Sequence, residues 1–127
     1  MPDRATVLLV VEDEPDMREM IKAILDTDPR IEVVGDATNA EDAIAAARTI
    51  LPGLIILDHQ IEGEIMGIEA APLLKEAAPN ALILLFTAFD MQDDAALEPA
   101  IDEFLSKSDV GQLLDVVQRM LGLRTGR

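Results

Sequence analysis

The chain contains no cysteine, tryptophan or tyrosine, and only three phenylalanines. Without cysteine, neither a disulfide framework nor a thiolate zinc site can form. With so few aromatic rings there is no stacking platform for nucleobases or sugars. One histidine, His59, cannot make a histidine cluster for zinc. Cationic residues are scarce as well: 10 Lys and Arg stand against 25 Asp and Glu, for a formal net charge of −15. A surface of that sign repels phosphate backbones and anionic lipid, so this chain is not expected to bind nucleic acid or membrane directly. The longest apolar runs, such as Ala81 to Phe86, are too short to span a bilayer. Asp3 and Arg4 near the start, and acidic residues directly after Val11, do not resemble a secretion leader. The expectation is a soluble, cytoplasmic protein.

Half of the 127 residues are apolar, which is enough to build a core without covalent staples. The length fits one domain over residues 1–127, with its core at about 6–121. Residues 122–127 are expected to be a frayed tail or the stub of a linker. Five short apolar runs read as strands: Thr6 to Val11, Ile31 to Val34, Leu54 to Leu57, Ala81 to Phe86, and a weak one centred on Phe104-Leu105. Runs apolar on both faces suit a parallel sheet covered on both sides.

Helical patterns separate the runs. Met17, Met20, Ile21, Ile24 and Leu25 recur at helical spacing, with Pro15 in the first turn and Asp28-Pro29 as a stop. Asn39 is placed to cap a helix from Ala40 to Arg48. A third helix covers about Ile68 to Ala78, where Pro72 must lie in the first turn or bend the helix. A short fourth, about Met91 to Leu97, ends before Pro99. In the last, Val110, Leu113, Leu114, Val117 and Leu121 share a face, capped by Ser108 or Asp109. The alternation βαβαβαβαβα with right-handed crossovers gives an α/β fold with a doubly wound five-stranded parallel sheet.

In such sheets ligands bind beyond the carboxyl ends of the strands. The first strand is followed by Glu12, Asp13 and Glu14, the third by Asp58, the fourth by Thr87 and the fifth by Lys107. Glu14 reads as a helix cap, and the second strand's Gly35-Asp36 is given no chemical role. Most other acidic residues read as solvated helix surface. Two carboxylates about 4 Å apart repel by roughly 4 kcal/mol at an effective dielectric of 20. Gathering Glu12, Asp13 and Asp58 therefore calls for a cation, and an all-oxygen donor set suits Mg²⁺. With a cation in place, Asp58 becomes a carboxylate nucleophile for a phosphoryl group, whose oxygens Lys107 and a hydroxyl can share.

At these residues the chain resembles the response-regulator receiver domains of two-component signalling. Leu8-Leu-Val-Val-Glu-Asp-Glu14 is similar to the acidic strand end of that family, and Leu54-Ile-Ile-Leu-Asp58 to its phosphoacceptor strand. Leu85-Phe-Thr-Ala88 and Phe104-Leu-Ser-Lys107 are similar to its two switch segments. The resemblance implies a flavodoxin-like (βα)₅ fold and a phosphoacceptor, Asp58, charged by a sensor histidine kinase or a histidine phosphotransfer protein. It implies Mg²⁺ on Asp13, Asp58 and the Gln60 backbone carbonyl, with Glu12 acting through bound water. Lys107 would pair with a phosphoryl oxygen, and Thr87 would reach another in the active state. Phe104 would change rotamer with Thr87, or else is a core residue of the last strand. His59, Gln60 and Ala88 would modulate the site from neighbouring loops, His59 being expected in solvent and Gln60 either positioning a water or blocking one. The domain would catalyse only its own phosphorylation and dephosphorylation, and would signal to an output domain or partner through its fourth and fifth helical region. A homodimer is left open.

The sequence departs from the family pattern in three places, one of them Ser108, which follows Lys107 where proline is common, so the usual cis peptide is not expected. The loop from Asp58 to Gly67 lacks the usual Met-Pro pair and is one residue longer. The stretch from Thr87 to Lys107 is two residues short. A degenerate receiver that binds partners without phosphorylation is therefore the alternative. A Mg²⁺ phosphatase is disfavoured by Gln60, which stands where such hydrolases carry a second acid.

Overall fold

A computed structural model describes residues 5–124. Five strands, β1 (Thr6–Val11), β2 (Ile31–Ala37), β3 (Leu54–Leu57), β4 (Leu82–Thr87) and β5 (Glu103–Ser106), form one parallel sheet in the order β2-β1-β3-β4-β5. Five helices alternate with them: α1 (Pro15–Leu25), α2 (Ala40–Ile50), α3 (Gly67–Ala77), α4 (Gln92–Leu97) and α5 (Leu113–Met120). A 3₁₀ turn, Lys107–Gln112, leads into α5.

The strands are apolar on both faces because both faces are covered. Leu9, Val11, Ile55, Leu57, Ile83 and Leu85 pack with Ala40, Ala43 and Ala47 of α2 and Ala70, Ala71 and Leu74 of α3. Leu8, Val10, Leu54, Ile56, Leu84 and Phe86 point the other way, onto Ile21 and Leu25 of α1 and Leu113, Val116 and Val117 of α5. Full burial of each such Leu or Ile contributes about 1.5–3 kcal/mol. The small residues of α2 and α3 let these two helices lie close to the sheet and to each other.

Local signals act as expected in most places. Glu14 accepts hydrogen bonds from the N–H groups of Asp16 and Met17, and Asn39 accepts from Asp42 N–H. Four expectations need correction. Met20 is exposed, because the buried stripe of α1 runs through Ile21 and Leu25. Pro72 lies inside α3 beyond its first turn, where it is solvent-exposed; its ring removes one ladder bond to the Ile68 carbonyl. Ser108 and Asp109 do not cap α5. Instead the Ser106 side chain accepts from Ser108 N–H and starts the 3₁₀ turn, and α5 proper begins only at Leu113. Finally, β2 extends to Ala37, past the apolar run. Its pairing with β1 skips Val34, a bulge that leaves this valine half in solvent.

At the far end of the sheet, Asp28 is buried and accepts from Arg30 N–H, Nε and Nη2 at 2.9, 3.0 and 2.7 Å, and from Gln118 Nε2 at 2.8 Å. These donors hold its carboxyl well below the usual carboxylate range, the Arg30 hydrogen bonds contributing most. Within the tail expected to fray, Leu123 N–H bonds the Gln118 carbonyl at 2.8 Å and the Arg124 carbonyl accepts from Arg30. Thr125 to Arg127 lie outside the described residues.

Candidate functional site

Strand register assembles the site. Val11 is level with Leu57 across β1–β3, and Leu57 with Leu85 across β3–β4. The ladder continues one step further, with Asp58 N–H on the Val11 carbonyl at 3.0 Å and Glu12 N–H on the Ala37 carbonyl at 2.9 Å. Glu12 and Asp58 therefore leave adjacent strands at one edge. Thr87 is level with Ser106, and Lys107 follows it from the outermost strand.

The side chains converge. Lys107 Nζ lies 2.8 Å from Asp58 Oδ2 and 2.7 Å from Glu12 Oε1. The contact to Asp58 is an aligned hydrogen bond. The contact to Glu12 is an ion pair without that alignment, so the buried Glu12 Oε1 has no hydrogen-bond partner. Carboxylate oxygens of Glu12, Asp13 and Asp58 all lie within 4.8 Å of one another.

Electrostatics reflect that crowding. Burial pushes the Glu12 carboxyl up, the neighbouring Lys107 ammonium opposes this, and the Asp58 charge adds to it. Desolvation raises Asp13 too, helped by the charges of Asp58 and Glu62. Burial alone would lower the Lys107 ammonium, but its close contacts with the Asp58 and Glu12 carboxylates outweigh it and hold that pKa above the ordinary lysine value. One ammonium thus serves two buried carboxylates and leaves net negative charge. Three carboxylates with no nitrogen or sulfur donor form a hard donor set that fits a small divalent cation retaining some water.

The remaining candidates surround this centre. Thr87 is fully buried, and its Oγ1 accepts a long 3.4 Å contact from Phe89 N–H. Ala88 is exposed just beyond it. Phe104 is half-buried against the α2–α3 face of the core and lines a groove with Ala88, Phe89, Ser106 and Asp109. Gln60 is exposed beside the acceptor.

His59 departs from expectation. It is half-buried instead of solvent-facing, its Nδ1 accepts from Ile68 N–H at 3.3 Å, and its ring meets Phe89 edge-on at 6.2 Å. The neighbouring backbone explains why. His59 N–H donates to Asp58 Oδ1 at 2.7 Å, and the His59 carbonyl accepts from Gly67 N–H at 2.7 Å. Gly67 is pressed so closely that a Cβ there would fall 2.0 Å from the Asp58 carbonyl oxygen. The loop therefore folds back on the acceptor and carries the imidazole inward.

Three contributors escaped sequence reasoning. Arg18 Nη1 holds the Glu12 carbonyl at 2.9 Å. Thr38 and Glu62 strap two loops together, Thr38 Oγ1 donating to Glu62 Oε1 at 2.8 Å. These contacts join segments remote in sequence, and nothing local announces them.

The fold and this edge define a class: a doubly wound flavodoxin-like α/β protein with an acidic, lysine-bearing site at the carboxyl ends of its strands. The chain belongs to the response regulator receiver domain family, whose model matches residues 8–118. It is 34% identical over 105 residues to the nitrate/nitrite response regulator NarL of Escherichia coli, a match covering 81% of this chain and 48% of NarL. It is 37% identical over 90 residues to a protein-glutamate methylesterase/protein-glutamine glutaminase of Agrobacterium fabrum, covering 71% of this chain and 25% of that protein. The chain thus spans between a quarter and a half of the length of these relatives. Among solved structures, the response regulator TrrA of Thermotoga maritima, in complex with Mg²⁺-BeF, is similar with a TM-score of 0.78 and 32% identity, over 91% of this chain and 98% of that one. No helix among the described residues is long and apolar enough to cross a membrane.

Proposed function

We propose that Asp58 accepts a phosphoryl group and that the domain switches between two states in response. The observation that carries this reading is the convergence of Asp58, Lys107, Glu12 and Asp13, with a buried oxygen of Glu12 lacking a hydrogen-bond partner. Asp13 and Asp58, with the Gln60 carbonyl, would hold Mg²⁺ directly, and Glu12 through water. When bound, the ion supplies positive charge that offsets the carboxylates and the incoming phosphoryl oxygens.

The chain's own groups do the rest. An Asp58 oxygen attacks phosphorus, a P–O bond forms, and the bond from phosphorus to the donor's imidazole nitrogen breaks. Lys107 is already 2.8 Å from Asp58 Oδ2 and needs only a small swing to meet a phosphoryl oxygen. The His59 N–H fixes the other carboxylate oxygen. The Thr87 hydroxyl gives up its long contact with Phe89 and donates to the phosphoryl group. Phe104 then takes the space beside Thr87, which changes the surface of α4, β5 and α5. Phosphorylation adds about −1.5 to −2 charges and shifts an existing equilibrium rather than creating a new state.

The donor on this reading is a sensor histidine kinase or a histidine phosphotransfer protein in the cytoplasm. The receiver is the partner that a longer regulator, or a separate protein, reads through the α4–β5–α5 face. The chemistry is stoichiometric and self-directed, not turnover of a free substrate. Labelling with acetyl phosphate tests it: with Mg²⁺ the wild type gains one phosphoryl group, and Asp58→Asn gains none. Equal labelling of both would remove Asp58 as acceptor. No labelling of either would favour a receiver that acts by binding alone.

A further inference from the structure

The strap from the acceptor loop to the β2–α2 loop has a consequence for the cation site. Glu62 pairs with Asn39 in an isolated parallel bridge, and its N–H donates to the Thr38 carbonyl at 3.0 Å. Its carboxylate is held at Oε1 by Thr38 Oγ1 at 2.8 Å. Thr38 directly follows Ala37, whose carbonyl receives the Glu12 N–H. The strap therefore anchors Glu62 on the flank of the edge where Glu12 and Asp13 emerge. Glu62 is exposed and lies outside the Glu12, Asp13 and Asp58 cluster. The Glu12, Asp13 and Asp58 oxygens lie within 4.8 Å of one another, with the single Lys107 ammonium against two of them, so this edge is short of positive charge.

We infer that Glu62 is a fourth, outer carboxylate of the divalent-cation site, held in place by Thr38 and acting on the hydrated ion through space and through its water. It is a positioning residue that strengthens cation binding, and the inference rests on the Mg²⁺ reading above. An outer-sphere charge acts at long range and is screened by salt. Its removal should weaken binding by roughly two- to fivefold, more at low ionic strength.

The test is a Mg²⁺ titration of the full chain without phosphodonor, followed by backbone amide chemical shifts in two-dimensional NMR. Wild type, Glu62→Gln, Thr38→Val and Asp13→Asn are compared at two salt concentrations. Support is a two- to fivefold weaker Kd for Glu62→Gln that converges on wild type at high salt, with Thr38→Val weakened in the same direction. Unchanged Kd values for both strap variants, while Asp13→Asn loses binding, would overturn the Glu62 inference alone. If Asp13→Asn also binds like wild type, the cation site itself is misplaced. The amide spectra report folding of each variant, so a loss of binding through unfolding is seen directly.

Discussion

Replacing Lys107 by methionine isolates the strain in the acidic edge. The ammonium lies 2.7 Å from Glu12 and 2.8 Å from Asp58, and both carboxylates are buried. Methionine keeps much of the stem's packing and deletes the charge. Removing one partner of a buried ion pair costs about 3–5 kcal/mol, because the remaining charge is uncompensated. Here the cost is partly relieved, since burial raises the Glu12 carboxyl and eases its uptake of a proton. A loss of about 3 kcal/mol at pH 7.5 without Mg²⁺ is expected, close to a 10 °C fall in Tm for a chain of this size. The pH dependence has a definite sign. A carboxyl raised by burial takes up a proton more readily folded than unfolded, so its destabilising effect is absent in acid and grows as pH rises through the folded pKa. The deficit of the variant should therefore shrink between pH 7.5 and about 5. Adding Glu12→Gln should recover part of the loss at pH 7.5, because the uncompensated charge is gone. Urea denaturation followed by circular dichroism measures all three. A variant as stable as wild type at pH 7.5, or a double variant less stable than the single one by the full cost of Glu12→Gln, would refute the picture of one ammonium neutralising two carboxylates.

Two further changes probe the scaffold. Gly67→Ala places a methyl 2.0 Å from the Asp58 carbonyl, where only backbone can give way; a loss of about 2–4 kcal/mol in stability and slower acetyl phosphate labelling are expected, read by denaturation and intact mass. Asp28→Asn removes the charge that Arg30 and Gln118 hold in place. Its folded pKa is depressed, so the stability it contributes is present above the unfolded value near 4 and is lost as pH falls. The wild type should accordingly exceed the variant by about 1.5–3 kcal/mol at pH 7 and by progressively less toward pH 3.

Sequence pattern revealed the sheet because its runs of valine, isoleucine and leucine are bounded by cap and turn residues. It also revealed Asp13, Asp58, Thr87 and Lys107 as strand-end groups, since a parallel sheet brings such positions to one edge whatever the helices do. It was weaker wherever two loops meet. The inward turn of His59 depends on Gly67 closing against the Asp58–His59 backbone, and a glycine alone does not say what lies against it. The Thr38–Glu62 strap and the Arg18 hold on Glu12 have no periodicity to betray them. The start of α5 was misread because Ser106, Ser108 and Asp109 are all plausible caps, and only the backbone angles choose between them.

The bulge at Val34 bears on what happens when many copies of this chain are crowded together. β2 is an outer strand of the sheet, and there Val34 drops out of register with β1, with Glu32 exposed before it and Asp36 paired with Lys22 and Arg18 after it. A bent strand flanked by charged side chains is a poor template for a neighbour's backbone. The opposite border, β5, is only four residues long and carries the Glu103–Arg119 pair. Both margins therefore resist growth by strand addition, which shields the apolar inner strands from pairing with a neighbour's edge.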